Sequence, residues 1–299
     1  MKSSFELTLG ECGNPRIQTL RFSDESVQNF AVSSSTIPLL FSRREKCQQQ
    51  LREIFASCFG ESCSNAIRAV LGDRSQGAII CPSLESDLDV LERLLIGVAA
   101  SVGQPYSAPN HSRCVVENVL RDLPEKAQSL LRRSPYRVDP LHTDGHGSDE
   151  VPEQFIALAC THRKKCIGGE SVLLHIDDWE DMDRLSLQVG SQQFYFDFPG
   201  GSQGTSQTVQ RPIFFDGPGG KRMSFLSGYL RRTIDSQEPV AEIESSLARA
   251  MGSASAQQFS LEERSFYLID NGFWLHGRMP LEKKANMYRR LICLRGSYK

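Results

Sequence analysis

Leu141-His142-Thr143-Asp144-Gly145 and the later stretch Ile269-Asp270-Asn271-Gly272-Phe273-Trp274-Leu275-His276-Gly277-Arg278 decide the fold and chemistry predicted for this chain. They contribute two imidazoles and one carboxylate, from His142, Asp144 and His276, which are the ligand types of non-haem Fe(II) oxygenases. Side chains on a strand alternate with period two, so His142 and Asp144 would point to the same side. The pattern predicts a metal site built from two neighbouring ligands and one remote ligand.

The composition is that of an ordinary globular protein. The chain has 299 residues, of which 39% are hydrophobic and 23% charged, and its formal net charge is −2. The longest basic run, Arg163-Lys164-Lys165, is interpreted as a solvated loop, so nucleic acid is not expected as a partner. Nine cysteines without a Cys-x-x-Cys motif favour a reduced, cytoplasmic protein. No signal peptide or membrane span is expected.

The first half of the chain has mainly helical patterns. Between Ser83 as N-cap and Val98, apolar residues recur every three or four positions, which predicts a helix. The other elements predicted here are strands within 1–35, helical structure over 36–73 with Leu51, Ile54, Phe55 and Cys58 on one stripe, a buried strand at 77–81, and a helix over 114–133 interrupted at Pro124.

The sequence pattern changes in the second half of the chain, beginning at Tyr136. Short apolar or aromatic runs alternate with glycine-rich turns, which is typical of a β-sandwich or barrel. A helical pattern over 236–254 interrupts them. We expect one domain over 1–299, in which residues 1–135 form mainly helical support with short strands for a β core at 136–299.

A ferrous site that activates O2 needs two further electrons, which oxidative decarboxylation of 2-oxoglutarate supplies. That co-substrate chelates the metal through its keto acid and needs a cation for its distal carboxylate. Arg295 shares one face of the last predicted strand with Leu291 and Cys293, as an interior cation would. The alternative for Arg295 is an ordinary surface position near the C-terminus.

Several segments carry a family resemblance. They are 141–145, Gly168-Gly169-Glu170-Ser171, His175-Ile176-Asp177-Asp178-Trp179-Glu180-Asp181, 271–278, and 289–296. The chain resembles Fe(II)/2-oxoglutarate-dependent dioxygenases of the clavaminate synthase and taurine dioxygenase (TauD-like) superfamily. Within that superfamily it is most similar to the CsiD-like glutarate hydroxylases and the free-lysine 4-hydroxylases of natural-product pathways. The resemblance is strong over residues 136–299 and general before them.

The resemblance implies an α+β fold with a double-stranded β-helix (jelly-roll) core, against which the helical N-terminal half packs. It implies that His142, Asp144 and His276 bind Fe(II), and that Arg295 binds the distal carboxylate of 2-oxoglutarate. Ser171 matches a hydroxyl that assists this carboxylate, although a turn-capping role is equally open. Because Asp144 is retained, hydroxylation is expected rather than halogenation.

The chain departs from the glutarate hydroxylase pattern at one position. Those enzymes carry a second arginine two residues before the co-substrate arginine, where this chain has Cys293. A thiol cannot hold a second carboxylate, so the sequence favours a small polar metabolite such as a free L-amino acid, with L-lysine as the example. The alternatives are a hydroxylase of a short dicarboxylate such as glutarate, which would use another arginine, and a non-catalytic metal-binding barrel.

The residues that would bind the substrate are less well defined. Arg278, Arg289 and Arg290 could supply a cation for a carboxylate, and Asp149 and Glu150 could meet an amine. Arg278 could equally brace a loop. The expected co-substrates are 2-oxoglutarate and O2, and the products succinate and CO2. The expected partner is a small molecule, without nucleic acid or membrane, and a homo-oligomer is left open.

Overall fold

The computed structural model describes residues 3–10, 13–42, 44–106, 113–122, 134–145, 153–198 and 207–298. Within these ranges the chain forms six α-helices and sixteen β-strands, a mixed α/β architecture. The helices are α1 Asp24–Ser34, α2 Glu45–Phe59, α3 Glu61–Gly72, α4 Leu88–Val102, α5 Met182–Val189 and α6 Ile234–Ala250. The strands are β1 Phe5–Leu9, β2 Ile17–Phe22, β3 Ala78–Cys81, β4 Gly103–Pro105, β5 Val116–Arg121, β6 Asp139–His142, β7 Phe155–Lys164, β8 Ser171–His175, β9 Gln193–Phe198, β10 Gln207–Pro212, β11 Phe214–Gly217, β12 Gly220–Met223, β13 Gln257–Phe259, β14 Phe266–Asp270, β15 Trp274–Arg278 and β16 Tyr288–Tyr298.

Two sheets organise the strands. The larger has eight strands in the order β1-β2-β3-β14-β7-β16-β4, with β5 also paired to β16. The smaller has four strands in the order β13-β8-β15-β6. The strands β9 and β10 form one antiparallel pair, and β11 and β12 form another. The pairing of β2 with β3 is parallel.

The larger sheet separates two hydrophobic cores, because successive side chains on a strand point to opposite faces. On β14, Tyr267 and Ile269 belong to one core, whereas Phe266 and Leu268 belong to the other. The second core also takes the buried faces of α1 to α4. The first core joins the larger sheet to the smaller sheet and to α5 and α6. The mixed α/β architecture is confirmed, and α1 to α4 pack on one face of the larger sheet.

Most of the predicted elements occur, but two predictions of helices need correction. The helix expected from Ser83 begins instead at Leu88 with Asp87 as N-cap, because the Ser83 hydroxyl donates to the Glu263 carbonyl outside any helix. The helix expected over 114–133 is wrong for its first part, where β5 pairs with β16. The remainder of that prediction, 123–133, lies outside the described residues.

The predicted helical insert is present as α6. Thr233 caps its N-terminus by accepting a hydrogen bond from the backbone N–H of Ser236, and Pro239 lies within the helix. Its buried residues Val240, Ile243 and Leu247 pack into the first core, which brings the helix close to the smaller sheet. No helix in the described part of the chain combines the length and apolar character needed to cross a bilayer.

Candidate metal centre

His142, Asp144 and His276 converge as the sequence predicted. Their candidate ligand atoms all lie within 4.8 Å of one another, and the three side chains are at most 9% exposed. The pairing of β6 with β15 brings the histidines together, since His142 is directly opposite His276. Their ring centroids are 4.3 Å apart. Strand pairing therefore unites two ligands that are far apart in sequence.

The His142 ring is oriented by its own strand. Its Nδ1 lies 2.7 Å from the carbonyl oxygen of Pro140, which fixes the proton on Nδ1. Its Nε2 then carries the lone pair, and lies 3.8 Å from Oδ1 of Asp144. Metal-binding histidines commonly donate their second ring N–H to a carbonyl in this way. The tautomer is the one that a divalent ion at Nε2 requires.

Asp144 lies just beyond the end of β6, which corrects the prediction that it shares the strand with His142. The intervening Thr143 holds the chain in place, because its N–H donates to the Phe225 carbonyl and its Oγ1 accepts from the Phe225 N–H. The Asn271 side chain accepts from the Asp144 N–H and donates to the Asp144 carbonyl, both at 3.0 Å. No sequence motif around Asn271 indicates this role, which comes from the tertiary fold.

Arg295 contacts the candidate metal ligand Asp144 directly. Its Nε donates to Asp144 Oδ2 at 2.8 Å, and the Cys293 thiol lies 3.8 Å from the same oxygen. Burial acts to lower the pKa of Arg295, but the Asp144 carboxylate outweighs it and raises that pKa above its usual range. Arg295 therefore holds Oδ2 of Asp144, and Oδ1 faces His142.

These residues fit a divalent metal. Two neutral imidazoles and one carboxylate are the donor set of non-haem Fe(II) sites. The His142 tautomer and the Asp144 carboxylate are held in place by further hydrogen bonds, as metal ligands commonly are. The three side chains can bind one side of an ion and leave coordination positions on its other side for a chelating co-substrate.

Arg289 is a second arginine of β16 that faces the interior. It is fully buried, and its Nη1 donates to the Gly169 carbonyl at 2.6 Å. Its Nε and Nη2 have no hydrogen-bond partner among the described residues. Gly169 is two residues before Ser171, which begins β8 and is itself buried. Arg289 and Arg295 are six residues apart, about 20 Å along an extended strand.

Other predicted site residues lie elsewhere. The Arg278 guanidinium donates to the carbonyls of Ser134, Pro135, Arg137 and Met279, which is the loop-bracing arrangement. Arg290 pairs with Glu117 of β5, away from the three metal ligands. Asp149 and Glu150 lie outside the described residues.

Known proteins resemble the chain in sequence and in fold. It is 26% identical over 298 residues to glutarate 2-hydroxylase of Citrobacter koseri, covering 95% of this chain and 88% of that protein. The crystal structure of asparagine oxygenase (AsnO) superposes with a TM-score of 0.70 at 12% identity, covering 94% and 93% of the two chains. The non-heme iron oxygenase OrfP in complex with Fe gives a TM-score of 0.65 at 12% identity, covering 94% of each chain.

The two structural neighbours confirm the overall fold, and their low identity carries no further inference. The family to which the chain belongs is decided by sequence comparison. The family model named CsiD matches residues 9–298, which is nearly the whole chain. The predicted relationship is confirmed: the chain belongs to the CsiD family.

Proposed function

We propose that this chain is an Fe(II)- and 2-oxoglutarate-dependent dioxygenase that hydroxylates an unactivated C–H bond of a short dicarboxylate, with glutarate as the first candidate. The observation that carries the proposal is the convergence of His142, Asp144 and His276 within 4.8 Å in a chain of the CsiD family. When bound, the metal and 2-oxoglutarate supply the oxidising power for O2 chemistry, with succinate and CO2 as products.

The metal ligands would be His142 Nε2, Asp144 Oδ1 and one ring nitrogen of His276. The Pro140 carbonyl accepts from Nδ1 of His142 and so orients the ring with Nε2 toward Asp144, and Arg295 holds the other Asp144 oxygen. The chain would thus offer three ligands on one side of the ion and leave the opposite side to small molecules. Its main contribution beyond this is to aim one C–H bond of the substrate at the metal.

The distal carboxylate of 2-oxoglutarate has two candidate partners. Arg295 was expected from the sequence, but its Nε is bound to Asp144 at the metal itself. Arg289 presents two buried donors without a partner among the described residues, near Ser171. On β8, Leu173 pairs with His276 of the proposed metal site. Ser171 lies two residues further along the same strand, which is about 7 Å. We therefore favour Arg289, with Ser171 assisting, and keep Arg295 as the alternative.

The proposal places a short dicarboxylate before a free amino acid, whereas the sequence alone favoured the amino acid. The matched relative acts on glutarate, and this supports a short dicarboxylate better than L-lysine. The remaining argument for a free amino acid is Cys293, which is buried near Asp144 and offers no positive charge. A dicarboxylate substrate then requires a cation from another part of the fold.

We also infer that the two sheets form a double-stranded β-helix and that residues 1–299 form a single domain. The support is that the larger sheet contributes side chains to both cores, so neither core is complete without it. Three metal ligands come from or directly follow strands of the smaller sheet, whereas Arg289 and Arg295 come from the larger sheet. A site between two facing sheets is what a jelly-roll provides.

The test of the proposed function is succinate formation by the purified protein with Fe(II), ascorbate, 2-oxoglutarate and O2. Glutarate, shorter and longer dicarboxylates, L-lysine and other L-amino acids are supplied separately, and the organic product is identified by mass spectrometry. We expect glutarate-dependent succinate and a product heavier by one oxygen. The control variant Asp144→Ala should form neither. Coupled turnover with an amino acid alone would favour the amino-acid hydroxylase. No coupled turnover with any compound would favour the non-catalytic barrel.

A further inference from the structure

Arg211 is a buried arginine close to the proposed metal centre. The proposed reaction has so far given this residue no role. It lies on β10 and is 5% exposed. None of its three guanidinium nitrogens has a hydrogen-bond partner among the described residues. Buried charged groups are nearly always paired, because removing them from water is costly. An arginine in this state is suited to an anion that comes from outside the chain.

Two aromatic rings contact the Arg211 guanidinium. Its central carbon is 5.0 Å from the centroid of Phe196 and 6.0 Å from that of Phe198. Ring faces stabilise a cation electrostatically and do not occupy its N–H donors. The donors remain available for oxygen atoms, and the planar fork of an arginine matches a carboxylate with two parallel hydrogen bonds.

Arg211 lies beside Gly145, the residue that follows the proposed metal ligand Asp144. A Cβ atom on Gly145 would lie 3.0 Å from Arg211 Nη2 and 2.7 Å from Leu226 Cδ1. Gly145 directly follows Asp144, so the guanidinium reaches to within one residue of the metal-binding carboxylate. A glycine at this position keeps the space beside the guanidinium clear, and most other side chains would fill it.

Glu153 adds a negative charge to the same region. Its Oε2 lies 3.4 Å from the same Cβ position on Gly145, and the side chain is 4% exposed. Burial lowers the pKa of Arg211, and the charge of Glu153 opposes that effect. The region therefore presents a buried cation and a buried anion side by side, within reach of the metal centre.

We propose that Arg211 binds a carboxylate of the substrate and so holds the substrate beside the metal centre. The inference rests on the proposed function, for which it supplies the cation that Cys293 does not. The same chemistry serves two substrate classes. A dicarboxylate would place one end on Arg211, whereas an amino acid would place its α-carboxylate there and its ammonium group toward Glu153.

The test compares Arg211→Met with Arg211→Lys and with the surface control Arg290→Met. Steady-state kinetics give the KM for glutarate and for the co-substrate, and glutarate binding is measured calorimetrically on protein loaded with Fe(II) and 2-oxoglutarate without O2. Losing a charge-assisted pair weakens binding by roughly ten- to a hundredfold. We expect Arg211→Met to raise the KM and Kd for glutarate by that factor, to leave the KM for the co-substrate within twofold, and to be partly rescued by lysine.

A purely structural role makes a different prediction for stability. Arg211→Met leaves buried Glu153 without its neighbouring positive charge, so a purely structural role predicts a lower thermal unfolding midpoint of the apoprotein with an unchanged KM for glutarate. A KM for glutarate that stays within twofold would overturn the proposal, whatever the midpoint does. A parallel rise of the KM for the co-substrate would overturn it too, because it would assign Arg211 to 2-oxoglutarate.

The same measurements separate this inference from the proposed function. If the wild-type protein forms succinate with neither glutarate nor any amino acid, the proposed function fails. If the wild type turns over glutarate and Arg211→Met does so with an unchanged KM, only the Arg211 inference fails. Glu153→Gln distinguishes the two substrate classes, since it should raise the KM for an amino acid at least tenfold and leave that for glutarate unchanged or lower.

Discussion

At the scale of single residues, Asp144 divides its two carboxylate oxygens between different partners. Oδ2 accepts from Arg295 at 2.8 Å, and Oδ1 faces His142 Nε2 at 3.8 Å. An aspartate held in this way offers one oxygen to a metal rather than two. Single-oxygen ligation leaves more coordination positions for 2-oxoglutarate and O2, which the proposed reaction requires.

The contact with Arg295 predicts how a variant would behave. Arg295→Gln removes the guanidinium that orients the Asp144 carboxylate, so we expect Fe(II) affinity to fall by roughly ten- to a hundredfold. Anaerobic titration with Fe(II) measures this affinity. Arg290→Gln, which breaks only the partly exposed pair with Glu117, should leave it unchanged. Unaltered Fe(II) affinity in Arg295→Gln would return Arg295 to its expected role with the co-substrate.

Arg289 gives a complementary prediction. Arg289→Gln removes the two buried donors near Ser171, and we expect the KM for the co-substrate 2-oxoglutarate to rise by roughly ten- to a hundredfold. Fe(II) affinity should stay within about twofold, since the guanidinium of Arg289 is anchored on the Gly169 carbonyl and not on Asp144. Steady-state kinetics with varied 2-oxoglutarate checks this. Normal 2-oxoglutarate kinetics in the variant would contradict the assignment.

At the scale of elements, the turn between β14 and β15 positions both ends of the metal site. Buried Asp270 accepts from Arg222 and from the N–H groups of Gly272 and Phe273, and Tyr298 donates to it at 2.9 Å. Asn271, between them, binds Asp144 on both sides of its peptide unit. One short turn thus fixes the start of the strand that carries His276 and the backbone of Asp144.

This turn predicts the effect of removing Asn271. Asn271→Ala loses three buried hydrogen bonds, including the one to the Glu153 carbonyl, and leaves their partners unsatisfied. We expect the free energy of unfolding to fall by about 2–4 kcal/mol. Urea denaturation measures it, with exposed Asn118→Ala on β5 as the matched control, expected within about 0.5 kcal/mol of the wild type. A change in Asn271→Ala as small as that of the control would contradict this role.

The end of β8 carries a pH-dependent element. Burial lowers the pKa of His175 to about 4, Arg16 adds to this effect, and Asp177 and Asp178 oppose it. Its Nδ1 accepts from the Asp177 N–H at 3.1 Å, which requires the neutral ring. The unfolded histidine has a pKa of about 6.5, so the unfolded state takes up the proton first as pH falls.

The sign of the pH effect follows from this depressed pKa. The stabilising contribution is complete above pH 6.5 and is lost as pH falls toward 4, by about 3 kcal/mol in total. Urea denaturation of the wild type and of His175→Gln across this window isolates the contribution as the difference between them. Parallel curves for wild type and His175→Gln would contradict the prediction.

The elements show where sequence patterns succeed and where they fail. The apolar stripe of α4 is recognisable because the helix is long and periodic, although the predicted N-cap Ser83 lies four residues before the observed N-cap Asp87. The strand β5 resembles a helix in sequence because Val116, Val119 and Leu120 have helical spacing. Pairing with β16 overrides that spacing, and such pairing cannot be read from local sequence.

At the scale of the whole molecule, the site lies between two sheets that contribute different groups. The smaller sheet and its flanks carry the proposed metal ligands, and the larger sheet carries Arg289 and Arg295. The metal ligands were predictable because their residue types and spacing are distinctive. Arg211 and Glu153 were not predictable as candidate substrate-binding residues, because what marks them is burial near Gly145 and not any motif.

The central claim is that His142, Asp144 and His276 together bind one ferrous ion. Anaerobic equilibrium titration of the apoprotein with Fe(II), followed by metal analysis, tests it most directly in the wild type and in His142→Ala, Asp144→Ala and His276→Ala. We predict one ion per wild-type chain and at least tenfold weaker binding in every variant, each still folded by circular dichroism. Wild-type affinity and stoichiometry in any folded variant would contradict the claim.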